Sequence, residues 1–137
     1  MDLYAENILD HYKHPRMTGA IPHASATHKE VNLSCGDDLE IDVLMKDGKL
    51  ADVRWRGQGC AISQAAMSLL SEELVGKTEG EVNALEPKNI YELLGVPVGP
   101  RRFKCALLSL HTLKNTMRKF EGKEPQSWLE TVNVDED

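Results

Sequence analysis

Three cysteines stand at breaks in the apolar pattern of the chain, in the segments Ser34-Cys35-Gly36-Asp37, Gly57-Gln58-Gly59-Cys60-Ala61 and Arg102-Phe103-Lys104-Cys105-Ala106. A glycine beside a thiol lets backbone and ligand approach closely, and a helix that starts at the thiol lowers its pKa and favours the thiolate. That species binds metal or carries sulfur. Taken singly, a cysteine is more often a small buried hydrophobe than a ligand; together the three point to one assembled site. Three thiolates leave a tetrahedral zinc or a two-iron cluster one protein ligand short. Asp37, two residues after Cys35 across Gly36, is the nearest candidate for the fourth position. Its alternative is a turn residue whose carboxylate satisfies local amides. A carboxylate is a harder ligand than a thiolate, so a site of three cysteines and one aspartate should hold an iron–sulfur unit labilely, which suits a carrier.

Other residues that could do chemistry weigh less. Arg101, Arg102 and Lys104 form a basic patch beside Cys105. It is either a solvated loop or a local charge that lowers thiol pKa values and holds anionic sulfur. His11, His14, His23 and His28 show no spacing that signals a metal site and read as ordinary surface histidines. His111 follows Cys105 by six residues, which turns it to another helix face and disfavours a Cys–His pair within that helix. The sequence has no Cys-x-x-Cys pair, phosphate loop or nucleotide fingerprint, so dithiol redox catalysis and nucleotide chemistry carry little weight.

The elements that must position the cysteines follow from periodicity. Asp2 can cap a first helix over about 3–13, with Leu3, Tyr4, Ile8 and Tyr12 at helical spacing, and His14-Pro15 ends it. Val31 and Leu33 alternate with polar neighbours, and Leu39, Ile41, Val43 and Met45 line one face of a second strand. Asp47-Gly48 closes a hairpin, and Ala51, Val53 and Trp55 point inward on the return strand. Helices should cover the sheet: Ala61 to Val75, a short one near 79–85, a turn over Asn89–Leu94, a long one from about Arg102 to Phe120, and a last short one starting between Pro125 and Leu129. The loop from Gly95 to Pro100 is too rich in glycine and proline for regular structure. Cys35 then ends a strand, Cys60 begins a helix, and Cys105 lies in the first turn of the long helix. Helix N-termini carry unpaired amides and positive partial charge, which favour thiolate and sulfide.

At 137 residues, with 41% apolar and 28% charged residues, the chain suits one globular domain spanning 1–137, with a flexible acidic tail near 130–137. No stretch approaches the roughly 18 apolar residues of a membrane span, and no export signal opens the chain, so a soluble cytoplasmic protein is expected. An odd cysteine count argues against a disulfide framework and fits a reducing compartment. The formal net charge of −6 disfavours nucleic-acid binding and allows a basic protein partner.

From Leu3-Tyr4 to about Lys119 the chain resembles the iron–sulfur cluster assembly scaffolds of the IscU/SufU/NifU type. The likeness rests on Cys35-Gly36-Asp37, on Gly59-Cys60-Ala61-Ile62-Ser63, on Arg102-Phe103-Lys104-Cys105-Ala106, and on the opening Tyr4…Ile8-Leu9-Asp10-His11-Tyr12…Pro15…Gly19. The resemblance implies an α+β fold of SufE/NifU-like type, a three-stranded antiparallel sheet covered by helices. It assigns Cys35, Asp37, Cys60 and Cys105 as metal and cluster ligands, holding a [2Fe-2S] cluster or zinc at the same positions. It implies a cysteine desulfurase as sulfur donor, with Cys35 and Cys105 as persulfide acceptors and Arg102 as charge support, apo iron–sulfur proteins as recipients, and homodimer formation in which Tyr4 takes part. Two departures bear on the branch. Lys104 stands where IscU-type members have histidine, and Val98-Gly99-Pro100-Arg101-Arg102 replaces their chaperone-binding Leu-Pro-Pro-Val-Lys motif. The Arg-x-Lys-Cys-Ala pattern looks like the SufU branch, yet the short interval from Cys60 to Cys105 lacks that branch's insertion. The leading expectation is a scaffold that is a carrier more than an enzyme. The alternative is a zinc-dependent sulfurtransferase of SufU type, and a third reading is a plain zinc-stabilised interaction domain.

Overall fold

The computed structural model describes residues 3–33 and 36–132. Met1, Ser34, Cys35, residues 133–137 and Asp2, the expected cap of the first helix, lie outside that set. The elements run α1 (Leu3–Lys13), β1 (Ala26–Asn32), β2 (Asp37–Lys46), β3 (Lys49–Gln58), α2 (Ala61–Leu74), α3 (Glu79–Asn83), α4 (Pro87–Leu94), α5 (Phe103–Phe120) and α6 (Trp128–Val132). The three strands form one antiparallel sheet in the order β1-β2-β3, so the expected α+β architecture is present.

Alternation sets the buried face. Leu39, Ile41 and Val43 on β2 are fully buried, as are Leu50, Val53 and Trp55 on β3. The β2–β3 turn takes positive φ at both Asp47 (54°) and Gly48 (76°), the geometry that matches strand twist in a two-residue hairpin. The helices lie on the apolar face, α5 across β1 and β2 and α2 along β3, with α1 and α4 packed on α2. Leu70 and Leu74 of α2 and Leu107, Leu110, Leu113 and Met117 of α5 complete one core with the inward strand residues.

Several details depart from the expected pattern. A bulge lies opposite Leu44 and Met45, which pair with Asp52 and Leu50. The extra residue is Ala51, so it faces out and Leu50 takes the core position expected of it. On β1, Val31 is exposed and Leu33 is 90% exposed, because α5 covers the opposite parity of that strand. The face of α1 also differs. Leu3, Tyr4 and Tyr12 are exposed, and Ile8 and His11 are the residues buried against the body.

His11 is therefore no surface histidine. Its Nδ1 lies 2.7 Å from Ser68 Oγ on α2, and that oxygen accepts the Arg16 backbone N–H at 2.9 Å. His111 on α5 is buried as well, stacked on Trp128 at 4.2 Å and 2.7 Å from Thr131 Oγ1. Thr131 is fully buried, so residues 130–132 of the expected flexible tail belong to the docked helix α6.

Candidate metal and sulfur site

The site begins with a parity argument. Asp37 opens β2 and shares its face with Leu39, Ile41 and Val43, so its carboxylate is directed into the helical layer rather than toward solvent. It is 2% exposed. At the other end of the β2–β3 hairpin the chain leaves β3 through Gly57, Gln58 and Gly59 and enters α2 at Cys60. Cys60 is the N-cap residue in extended backbone (φ −73°, ψ 170°) and supplies no side-chain cap of its own. Asp37 provides the missing acceptor from another element: its Oδ1 accepts the Cys60 N–H at 3.2 Å, and its Oδ2 lies 4.0 Å from Cys60 Sγ. The negative carboxylate thus sits at the positive end of α2. Cys105 arrives in the first turn of α5, which packs beside α2.

Asp37, Cys60 and Cys105 offer one ligand atom each, and these atoms all lie within 4.8 Å of one another. Two glycines make this approach possible. A Cβ at Gly59 would stand 2.7 Å from Asp37 Oδ1 and would collide with Ser63 Oγ. At Gly57, where φ is 150°, a Cβ would run into the Asp38 carbonyl. The cradle between β2 and the start of α2 has no room for side chains at either position.

The donor set fits a soft-to-borderline metal or an iron–sulfur unit. Two thiols and one carboxylate converge where β2, α2 and α5 begin, and the Cys60 thiol is half-buried. Gln64, one turn into α2, has a buried Nε2 with no hydrogen-bond partner among the described residues. Cys35 lies outside the described residues. Gly36, which precedes Asp37, takes φ 72°, in the left-handed region that favours glycine. Cys105 is only 3% exposed.

Arg102 stands exposed as the N-cap of α5, three residues ahead of Cys105, and its backbone N–H donates to the Gly99 carbonyl at 3.0 Å. The histidines lie elsewhere. His11 sits between α1 and α2, and His28 and His111 bracket Glu30, at 2.6 and 3.5 Å. Among the described residues no helix is long and apolar enough to cross a membrane.

The profile of the NifU-like N terminal domain matches residues 3–127. The chain belongs to that family. Among curated relatives, an iron–sulfur cluster assembly scaffold protein IscU of Thermotoga maritima is 29% identical over 133 residues, covering 85% of this chain and 94% of the relative. A zinc-dependent sulfurtransferase SufU of Bacillus subtilis is 29% identical over 137 residues, covering 88% and 92%. A Fervidobacterium islandicum crystal structure, assigned as an iron–sulfur cluster assembly scaffold protein for the SUF system, superposes with a TM-score of 0.73 at 32% identity, over 82% of this chain and 94% of that one. These NifU-like relatives cover both branches that the sequence resembles.

Proposed function

We propose that the chain is an iron–sulfur cluster assembly scaffold that accepts sulfur from a cysteine desulfurase, binds iron, assembles a [2Fe-2S] cluster and releases it to apo-proteins in the cytoplasm. The observation that carries this reading is the convergence of Asp37, Cys60 and Cys105 within 4.8 Å at the starts of β2, α2 and α5. Cys35 supplies the fourth ligand. Sulfur arrives by thiolate attack on a persulfide, which forms a new S–S bond to the scaffold cysteine and frees the donor thiolate. Among the described thiols Cys60 is the accessible one, so a persulfide on Cys105 requires its cover to open first. Arg102 and Lys104, at the start of α5, supply positive charge toward the incoming anionic sulfur.

The second reading is a zinc-dependent sulfurtransferase, in which zinc holds the same residues until one thiolate is freed. It is favoured by the relative of that name and by Arg102-Phe103-Lys104-Cys105. Metal and acid-labile sulfide analysis of anaerobically purified protein separates the two. Iron with equimolar sulfide supports the scaffold. Zinc without sulfide, together with persulfide accepted from a desulfurase, supports the transferase and overturns the scaffold.

A further inference from the structure

Helix α2 carries four polar side chains near or within its buried face, and three of them are satisfied. The Ser63 hydroxyl donates to the Cys60 carbonyl at 3.2 Å, Ser68 meets His11 and the Arg16 N–H, and Ser71 donates to the Ser68 carbonyl at 2.7 Å. Gln64 is the exception. Its Nε2 is buried with no hydrogen-bond partner among the described residues. Buried amides are almost always paired, and an exception needs a reason such as a water, an ion or a ligand that arrives later.

Its place in the helix identifies the ligand. Gln64 follows Cys60 by four residues, and its backbone N–H donates to the Cys60 carbonyl at 3.1 Å. Positions four apart share a helix face, and helical side chains lean toward the N-terminus. The Gln64 side chain therefore leans toward the helix start at which Cys60 stands, without reaching its thiol in the metal-free chain. The nearby polar groups do not occupy it, because the Cys60 N–H is taken by Asp37 and the Cys60 carbonyl by Ser63 and the Gln64 backbone.

We propose that Gln64 is a preset hydrogen-bond donor for the anionic sulfur held at Cys60 in the loaded protein. The inference rests on the reading of this site as a metal and sulfur site. In the metal-free chain the amide waits unpaired. When Cys60 becomes a metal-bound thiolate, Nε2–H donates to the sulfur, fixes its orientation and offsets its charge. Gln64 is a positioning residue and contributes no bond to metal. Partners of this kind, one step out from the ligands, change metal affinity by about 10–100-fold when removed.

The test is zinc titration of the full chain against a chromophoric chelator, combined with thermal melting of the metal-free protein. Gln64→Met keeps the volume and length of the side chain and removes the donor. The expected result is zinc affinity at least about ten-fold weaker than wild type, with the metal-free protein melting at the same temperature or higher because the unpaired amide is gone. Gln64→Leu, which also removes the donor, should bind zinc as weakly as Gln64→Met. Equal affinities for wild type and Gln64→Met overturn the proposal, and so does a metal-free melting temperature that falls in parallel with affinity, the mark of a packing role. If wild type itself takes up neither zinc nor an iron–sulfur cluster, the reading of the site fails and the proposal with it. If wild type loads and both variants load equally well, only the assignment of Gln64 fails.

Discussion

The Asp37 carboxylate accepts the Cys60 backbone N–H through Oδ1 at 3.2 Å while its Oδ2 faces the Cys60 thiol at 4.0 Å. One side chain thus ties the start of β2 to the start of α2 and keeps a second oxygen turned toward the cysteine. The two oxygens divide the work. Oδ1 is engaged at the helix start, and Oδ2 is the oxygen turned toward the proposed metal position. Its position follows from strand parity with Leu39 and Ile41, and its closeness to Cys60 follows from the absence of a side chain at Gly59.

Gly59→Ala tests the cradle directly. The new Cβ would come within 2.7 Å of Asp37 Oδ1 and collide with Ser63 Oγ, so Asp37 must leave the Cys60 N–H. A lost hydrogen bond to a buried carboxylate costs about 1.5–3 kcal/mol. Urea denaturation of the metal-free variant should show a loss of that order, and metal uptake should fall with it. Wild-type stability and uptake would mean that the strand and the helix start can separate freely and that the Asp37–Cys60 contact is incidental.

Cys60→Ser and Cys105→Ser should each abolish a stable visible chromophore after anaerobic reconstitution, because a serine hydroxyl is a poor ligand for iron–sulfur units. The two should differ in stability. Cys60 is half-buried at a helix start, so its replacement should leave the unfolding free energy within about 0.5 kcal/mol of wild type. Cys105 is 3% exposed, and burying a hydroxyl in its place should cost about 1–3 kcal/mol. A full chromophore in either variant would remove that residue from the ligand set.

Acid should loosen the metal-free protein before carboxylates titrate. Burial holds His11 below the ordinary histidine value, with the Arg16 charge acting in the same direction and Glu72 and Asp10 opposing. Burial also lowers His111, against the pull of Glu30. The folded state binds these two protons less readily than the unfolded chain does. Stability therefore rises with pH up to about 6.5 and is lost as pH falls below it. Denaturation midpoints measured between pH 7.5 and about 5 should decline, and His11→Gln should flatten part of that slope. A flat wild-type profile across this window would show that neither histidine is held neutral by the fold.

The sheet, the hairpin and the long helices were legible because their periods are simple. Leu39, Ile41 and Val43 alternate, and the α5 stripe repeats every three or four residues. The misses have physical causes that lie beyond local pattern. The bulge that trades Ala51 for Leu50 changes parity by one residue, which no propensity of Ala51 signals. His11 looks like a surface residue until α2 brings Ser68 to its ring, a contact across 57 residues of chain. Val31 and Leu33 alternate as core residues would, yet α5 covers the other face of β1. At the site, residue types and glycines pointed to Cys60, Cys105 and Asp37, and the structure brings these three together. The depth of Cys105 and the unpaired amide of Gln64 depend on how α2 and α5 pack, which spacing alone does not encode.

Replacing Asp37 separates a delivering scaffold from a permanent metal site. Asp37→Cys completes a four-thiolate shell, and thiolate suits iron–sulfur units better than carboxylate. The cluster in the variant should persist longer under oxygen or chelator and pass more slowly to an apo-ferredoxin. The structure adds a cost: the variant loses the acceptor for the Cys60 N–H, so its metal-free form should be less stable than wild type by about 1.5–3 kcal/mol, as for Gly59→Ala. Asp37→Asn keeps an oxygen for that N–H and loses the charge. It should fold with near wild-type stability and hold metal weakly. Under a structural-zinc reading, Asp37→Cys changes metal affinity and nothing else, since no delivery step exists. The measurements are the half-life of the visible absorbance, the rate of ferredoxin maturation and the denaturation midpoint without metal, compared across wild type, Asp37→Cys and Asp37→Asn. A variant cluster that lives no longer and transfers no more slowly would make Asp37 a cap for α2 only, with the remaining ligand coming from a second protein, a small thiol or water.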